Sequence, residues 1–218
     1  MANLDVAQTG TSGKGITDNT QSALLLDRGG ALVTMDFYTK AALDGRGYQL
    51  RAGTISVPLV GDVVITDTAA EFAVDSSAGH VMIPVFQNIS INLGTGTLHE
   101  YATKSVATAS SGGDAFTLLP MLSGGDASSL TARVDAAGGV TVTAEAATTT
   151  LRHWSYSNPL AIVTAGGGTQ PALDWQPLVP PILTGDRSLY TQIAATGTGP
   201  SYFANLAVLQ FTTAQLGI

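Results

Sequence analysis

The chain has 218 residues, no cysteine, and nine Lys and Arg against sixteen Asp and Glu, a formal charge of −7. The lack of cysteine excludes disulfides, zinc–thiolate sites, iron–sulfur clusters and thiol nucleophiles together. Charged residues make up 11% of the chain, against about 25% in an average soluble protein, which leaves a surface of Thr, Ser, Ala, Gly, Asn and Gln suited to lateral packing between subunits.

The basic residues Lys14, Arg28, Lys40, Arg46, Arg51, Lys104, Arg133, Arg152 and Arg187 are scattered, with no two adjacent. A nucleic-acid groove or an anionic-lipid patch relies on clustered cations, so neither is expected. The longest apolar stretches, 23–26 and 206–209, fall far short of the ~20 residues a helix needs to cross a bilayer. The start, Met1-Ala2-Asn3-Leu4-Asp5-Val6, lacks the basic and apolar regions of a secretory signal, and synthesis in the cytoplasm is the expectation. A chain of this length buries on the order of 70% of its unfolded surface and needs no staple to fold.

Residues 2–20 are polar and turn-rich, with Gly10, Gly13 and Gly15 among Thr, Ser and Lys, and read as a flexible N-terminal arm. From residue 21 onward a single β domain is expected. Short runs rich in β-branched and aromatic residues alternate there with Gly, Asp, Asn, Ser or Pro breaks. The candidate strands are 31–38, 48–51, 54–59, 62–66, 71–75, 80–86, 88–93 and 97–107. They continue with 115–118, 130–135, 139–144, 149–156, 160–164, 189–194 and 202–211. Ile89, Ile91 and Leu93 oppose Asn88, Ser90 and Asn92, and Val140, Val142 and Ala144 oppose Thr141, Thr143 and Glu145. One buried and one wet face marks an antiparallel sheet in a sandwich or barrel.

Pairs such as Gly29-Gly30 and Gly138-Gly139, and the runs Gly94-Thr95-Gly96 and Gly166-Gly167-Gly168, supply turns. Single helical turns fit 41–44 and 68–74, and a short helix fits 212–218. No stretch of ten residues holds a 3.6-residue period, which excludes doubly wound α/β folds. Six of the nine prolines fall from Pro159 onward, and 170–181 reads as a long extended connection.

No catalytic, cofactor-binding or metal-binding residues are assigned, because each candidate motif is incomplete. Asp67-Thr68-Ala69 resembles the aspartic-protease turn, but that chemistry needs two carboxylates sharing a proton. His99-Glu100 begins a zinc-protease motif whose second histidine is replaced by Thr103. His80, His99 and His153 would have to converge from distant strands to bind a metal. Lys14 within Gly10–Gly15 breaks the phosphate-loop order, and no Gly-x-Ser-x-Gly elbow occurs. The turns Gly112-Gly113-Asp114 and Gly124-Gly125-Asp126 offer one acid each, sparse for calcium. Asn88-Ile89-Ser90 matches a glycosylation acceptor by composition alone. Trp154 with Tyr156, and Tyr202 with Phe203, read as core or interface anchors, with sugar stacking as the alternative. Trp175 falls in the proline-rich connection.

The segment from Arg51-Ala52-Gly53-Thr54 to Val60-Gly61-Asp62, the run 71–75, and Pro200-Ser201-Tyr202-Phe203 through Leu209-Gln210-Phe211 resemble virion structural proteins of bacterial viruses, as does the Gly/Ala/Thr/Ser-rich, Lys-poor makeup. The likeness is one of texture over most of 20–211. It implies a jelly-roll-like antiparallel β-sandwich forming trimers or rings in or on a capsid, with itself and other particle proteins as partners. The acidic balance fits an outer-facing shell or decoration role. A carbohydrate-binding or adhesin domain is the alternative from another class. Strand edges, the N-terminal arm and the 170–181 connection are the expected contact elements.

Overall fold

Hydrophobic alternation is resolved into two packed antiparallel sheets in the computed structural model, which describes residues 5–7, 21–23, 36–54, 56–93, 98–135, 139–143, 148–157 and 172–218. In chain order the elements are β1 (Asp5–Ala7), β2 (Gln21–Ala23), α1 (Phe37–Leu43), β3 (Gly47–Ala52), β4 (Leu59–Val60), β5 (Ala69–Ala70), β6 (Phe72–Ser76), β7 (His80–Leu93) and β8 (Leu98–Val106). There follow β9 (Ser111–Gly112), β10 (Asp114–Phe116), β11 (Leu119–Pro120), β12 (Thr131–Val134), β13 (Val140–Thr141) and β14 (Thr148–Ser157). The last elements are β15 (Ala172–Trp175), β16 (Leu183–Thr184), β17 (Arg187–Ala195), β18 (Ser201–Thr212) and α2 (Thr213–Leu216).

One sheet runs β10-β12-β6-β17-β8-β14 and the other β11-β3-β18-β7-β15, with β16 also on β7 and β4 on β18. The eight principal strands β3, β6, β7, β8, β14, β15, β17 and β18 can be counted one to eight along the chain. The sheets then read 1-8-3-6 and 2-7-4-5, every neighbour antiparallel. This is the wrapped order of a jelly roll. The expected all-β sandwich is therefore present, and its strand order is the jelly-roll one. Residues 107–147, between strands four and five, contribute β10 and β12 to one sheet and β11 to the other, always at the edge away from β14 and β15.

The core lies between the sheets. Leu50, Ile89, Ile91, Tyr202 and Leu206 from one sheet meet Phe72, Val74, Tyr101, Leu189 and Ile193 from the other. Two outer layers cover parts of the sheet backs. β5-β13-β9 forms a small sheet whose Ala70 and Val140 pack with Val142 on Tyr190 and Val106. On the other side Ala41 of α1 packs on Val81, Ile83, Leu209 and Phe211.

Several expected boundaries are corrected. The strand expected at 31–38 gives way at its end to α1, capped by Asp36, whose carboxylate accepts from the Thr39 amide at 2.9 Å; residues 31–35 lie outside the described residues. The turn expected at 41–44 is thus part of a seven-residue helix. The stretch 68–74 forms β5 and β6 rather than a helical turn. The strands expected at 54–59 and 62–66 reduce to β4 and isolated bridges Thr54–Val57 and Asp62–Ala194.

The separate strands expected at 80–86 and 88–93 are one strand, β7, with a bulge. Phe86 pairs with Ala207 and Pro84 with Val208, which leaves Val85 as the extra residue. Met82 and Ile89 therefore both reach the core although their spacing is odd. Pro84 is tolerated because, among the described residues, β16 pairs with Val81 and Met82 and β15 with Gln87 to Ser90, which leaves no strand beside Pro84 on the side away from β18. The 170–181 connection is also corrected: Ala172–Trp175 is strand β15, and Trp175 stands in the sheet. The tail helix appears as α2, with a capping box between Thr212 and Gln215. The arm's Asp5–Ala7 pairs with Gln21–Ala23. The rest of the arm, Lys14 and its glycines, Gly29-Gly30, Gly94-Thr95-Gly96, Gly138, the strand expected at 160–164 and Gly166-Gly167-Gly168 lie outside the described residues.

Candidate functional site

The histidines do not converge. His99 points between the sheets, buried, with Nδ1 3.4 Å from the Tyr101 hydroxyl. His153 is exposed and pairs with Ala102, on the opposite face of the same sheet. His80 begins β7 in the other sheet and meets the Ser77 hydroxyl at 3.1 Å. Among the described residues no group of three His, Asp or Glu could hold a metal ion. Asp67 and Thr68 are exposed in a turn whose backbone serves packing: the Thr68 carbonyl accepts from the Val142 amide at 2.9 Å. Gly112 and Gly113 both have positive φ, +67° and +61°, which is the geometry the Gly-Gly pair was selected for. Asp114 and Asp126 are exposed. The Asn88 amide donates to Asp174 at 2.6 Å, tying β7 to β15.

One acidic cluster was not foreseen. Glu71 sits at one end of the core, 2% exposed, and its two oxygens accept from the backbone amides of Ile193 at 2.6 Å and Asp62 at 3.2 Å. Burial, and then the neighbouring Asp62, push its carboxyl well above the ordinary range. Burial, and then Asp135, raise Asp62 as well. The Tyr202 phenol, fully buried and without a hydrogen-bond partner among the described residues, is pushed up by burial and then by Glu71, Asp135 and Asp62. The cluster ties β6, β17 and the 61–68 loop together through a carboxyl that holds two backbone amides and whose burial favours its protonated form. The sequence showed Glu71 only as a polar residue in an alternating run.

Of the aromatic pairs, Trp154 leans on Tyr101 with ring centroids 5.8 Å apart, and Tyr202 is a core residue. Phe203 faces outward into a shallow concavity of about 410 Å³ on the back of the seven-stranded sheet, with Phe86, Arg51, Asn88, Asn205 and Gln49. Among the described residues α1 covers the far end of β18 and β7 and leaves this half of the sheet back open.

The two lateral edges carry the strongest anomalies. Between β15 and β16, Leu178 is 98% exposed and Val179 83%, with Ile182 also exposed. Such side chains are ordinarily hidden or in contact with another molecule. At the other edge a largely apolar groove of about 710 Å³ opens between the sheets, lined by Val57, Leu59, Phe116, Leu119 and Val134 together with Arg51. Val57 and Leu119 are 60% and 42% exposed there. Among the described residues no helix is long and apolar enough to cross a membrane.

No protein-family model matches the chain, and no curated protein matches it.

Proposed function

We propose that the chain is a non-enzymatic virion structural protein, a capsid or capsid-decoration component, acting through contacts between copies of itself and with other particle proteins. The observation that carries this reading is the display of Leu178 and Val179 to solvent at a sheet edge, where a protein that worked alone would hide them. Two features support it. The surface is poor in charge, so close approach of a neighbour desolvates few ions. The jelly-roll strand order is one that viral capsid domains use, although lectins and cupins use it too. The acidic balance favours an outward-facing place in the particle over a genome-facing one.

Light scattering over micromolar concentrations, followed by electron microscopy of the product, tests the reading. Discrete oligomers that build shells or regular arrays are expected. A strict monomer up to several hundred micromolar sinks it.

The open concavity holding Phe86, Phe203, Asn88, Asn205 and Gln49 favours a second reading, a carbohydrate-binding domain. Two rings among amide groups could stack on and hydrogen-bond a sugar. Glycan-array binding abolished by Phe86→Ala would establish it, and an array without signal removes it.

A further inference from the structure

We infer that the 176–182 loop of one copy docks into the Val57–Leu119 edge groove of a second copy, head to tail. The inference rests on the self-assembly reading above and names its contact.

Knob and hole stand at opposite edges of one sheet. The loop joins β15 to β16, both of which flank β7, whereas the groove opens beside β3 and β11. In the order β11-β3-β18-β7-β15 four strand spacings separate them, about 19 Å at about 4.8 Å each. A loop of seven residues anchored at both ends to β7 cannot fold back over that distance into its own groove. It can enter a neighbour's. Because each copy offers a knob on one side and a hole on the other, the contact is heterologous: it closes a ring where the rotation allows and otherwise builds an open array.

The loop is built for side-chain docking rather than strand addition. Pro177, Pro180 and Pro181 supply no N–H to a neighbouring ladder. They also restrain the backbone, which reduces the entropy lost when Leu178, Val179 and Ile182 are immobilised. The groove offers matching chemistry, apolar walls from both sheets. Charge agrees: Arg51 is the charged residue that lines the groove, and exposed Asp174 stands at the base of the loop.

The absence of native cysteine allows a clean test. Leu178→Cys and Leu119→Cys are made as single variants, mixed and oxidised. A disulfide-linked dimer is expected from the mixture, and little from either variant alone. In parallel, Leu178→Asp is expected to raise the concentration for half-assembly at least about ten-fold, since a buried Leu is worth one to two decades in binding. Adding Leu119→Lys to it is expected to restore part of the loss. Unchanged melting of each variant establishes that both surface positions leave the fold intact. Wild-type assembly with no mixed cross-link, and with Leu178→Asp assembling normally, overturns this contact and leaves the self-assembly reading standing. A monomeric wild type overturns both.

Discussion

Gln87 and Thr191 lie 104 positions apart and on opposite sheets, yet the Gln87 amide donates to the Thr191 hydroxyl at 2.7 Å in the middle of the core. Gln87 also accepts from the Thr103 hydroxyl at 2.9 Å, so one side chain of β7 clamps two strands of the facing sheet. The two hydroxyls are 3.3 Å from each other. Gln87→Leu removes both clamps and leaves Thr103 and Thr191 with one weak mutual bond. The expected loss is about 1–3 kcal/mol, the cost of stranding buried polar groups. Urea unfolding with an unchanged slope would measure it, and a loss under about 0.5 kcal/mol would show that the network adds nothing to stability.

The end of the sandwich near Asp62 is closed by backbone hydrogen bonds as well as by the Glu71 carboxyl. The Gly61 amide donates to the Pro200 carbonyl at 2.8 Å, and the Asp62 amide to the Ile193 carbonyl at 2.9 Å. A Cβ on Gly199 would collide with the Gly61 carbonyl, and one on Gly61 with the Ile193 carbonyl. Neither obstacle is a flexible side chain. Gly199→Ala is therefore expected to destabilise by more than about 3 kcal/mol or to prevent folding. Gly79→Ala is the comparison, since Gly79 has a φ of +81° but nothing within 4 Å of an added methyl. It is expected to cost only about 1–2 kcal/mol. Thermal melts of the two variants side by side check the order, and equal losses would contradict it.

Much of this architecture was legible in the chain, and the failures have physical causes. The strands β8, β12, β17 and β18 fall close to their expected ranges because each keeps its apolar and polar positions in step, and β14 does so in spite of a bulge at Leu151. β7 was divided in two because the bulge at Val85 puts two successive residues on the outer face, and a parity break reads as a turn. β15 was hidden by the prolines around it; among the described residues it pairs on one side, with β7, and such an edge strand can begin directly after Pro171. α1 was missed because only Ala41 of its seven residues is buried, which leaves no apolar stripe to detect. The acid cluster was invisible for a different reason: Asp62, Glu71 and Asp135 meet through a loop crossing that no local pattern encodes. The exposed Leu178 and Val179 were readable as apolar residues, but their exposure follows from the proline-held departure of the loop between β15 and β16.

Glu71 sets the direction of the pH dependence. Its folded carboxyl binds a proton more tightly than the unfolded one, because burial and Asp62 disfavour the charge. Below the ordinary carboxylate range both states are protonated, and the fold retains its full stability from this group. As pH rises above that range the unfolded chain releases the proton first, so stability falls until the folded carboxyl also ionises, and then levels off. The fall amounts to about 1.4 kcal/mol for each unit by which the two values differ. Asp62, raised by burial and by Asp135, acts with the same sign. Melting temperature is thus expected to decline between pH 5 and pH 8. Glu71→Gln keeps an acceptor for the Ile193 amide but cannot ionise, and it is expected to flatten the decline, leaving the smaller slope due to Asp62. The substitution loses an acceptor at the Asp62 amide, so its melting temperature at pH 5 is expected below that of the wild type while the gap narrows toward pH 8. Melts at five pH values on both proteins decide the matter. Parallel curves, or a wild type whose stability rises over this window, would mean that Glu71 is ionised in the fold and held by its two backbone amides instead.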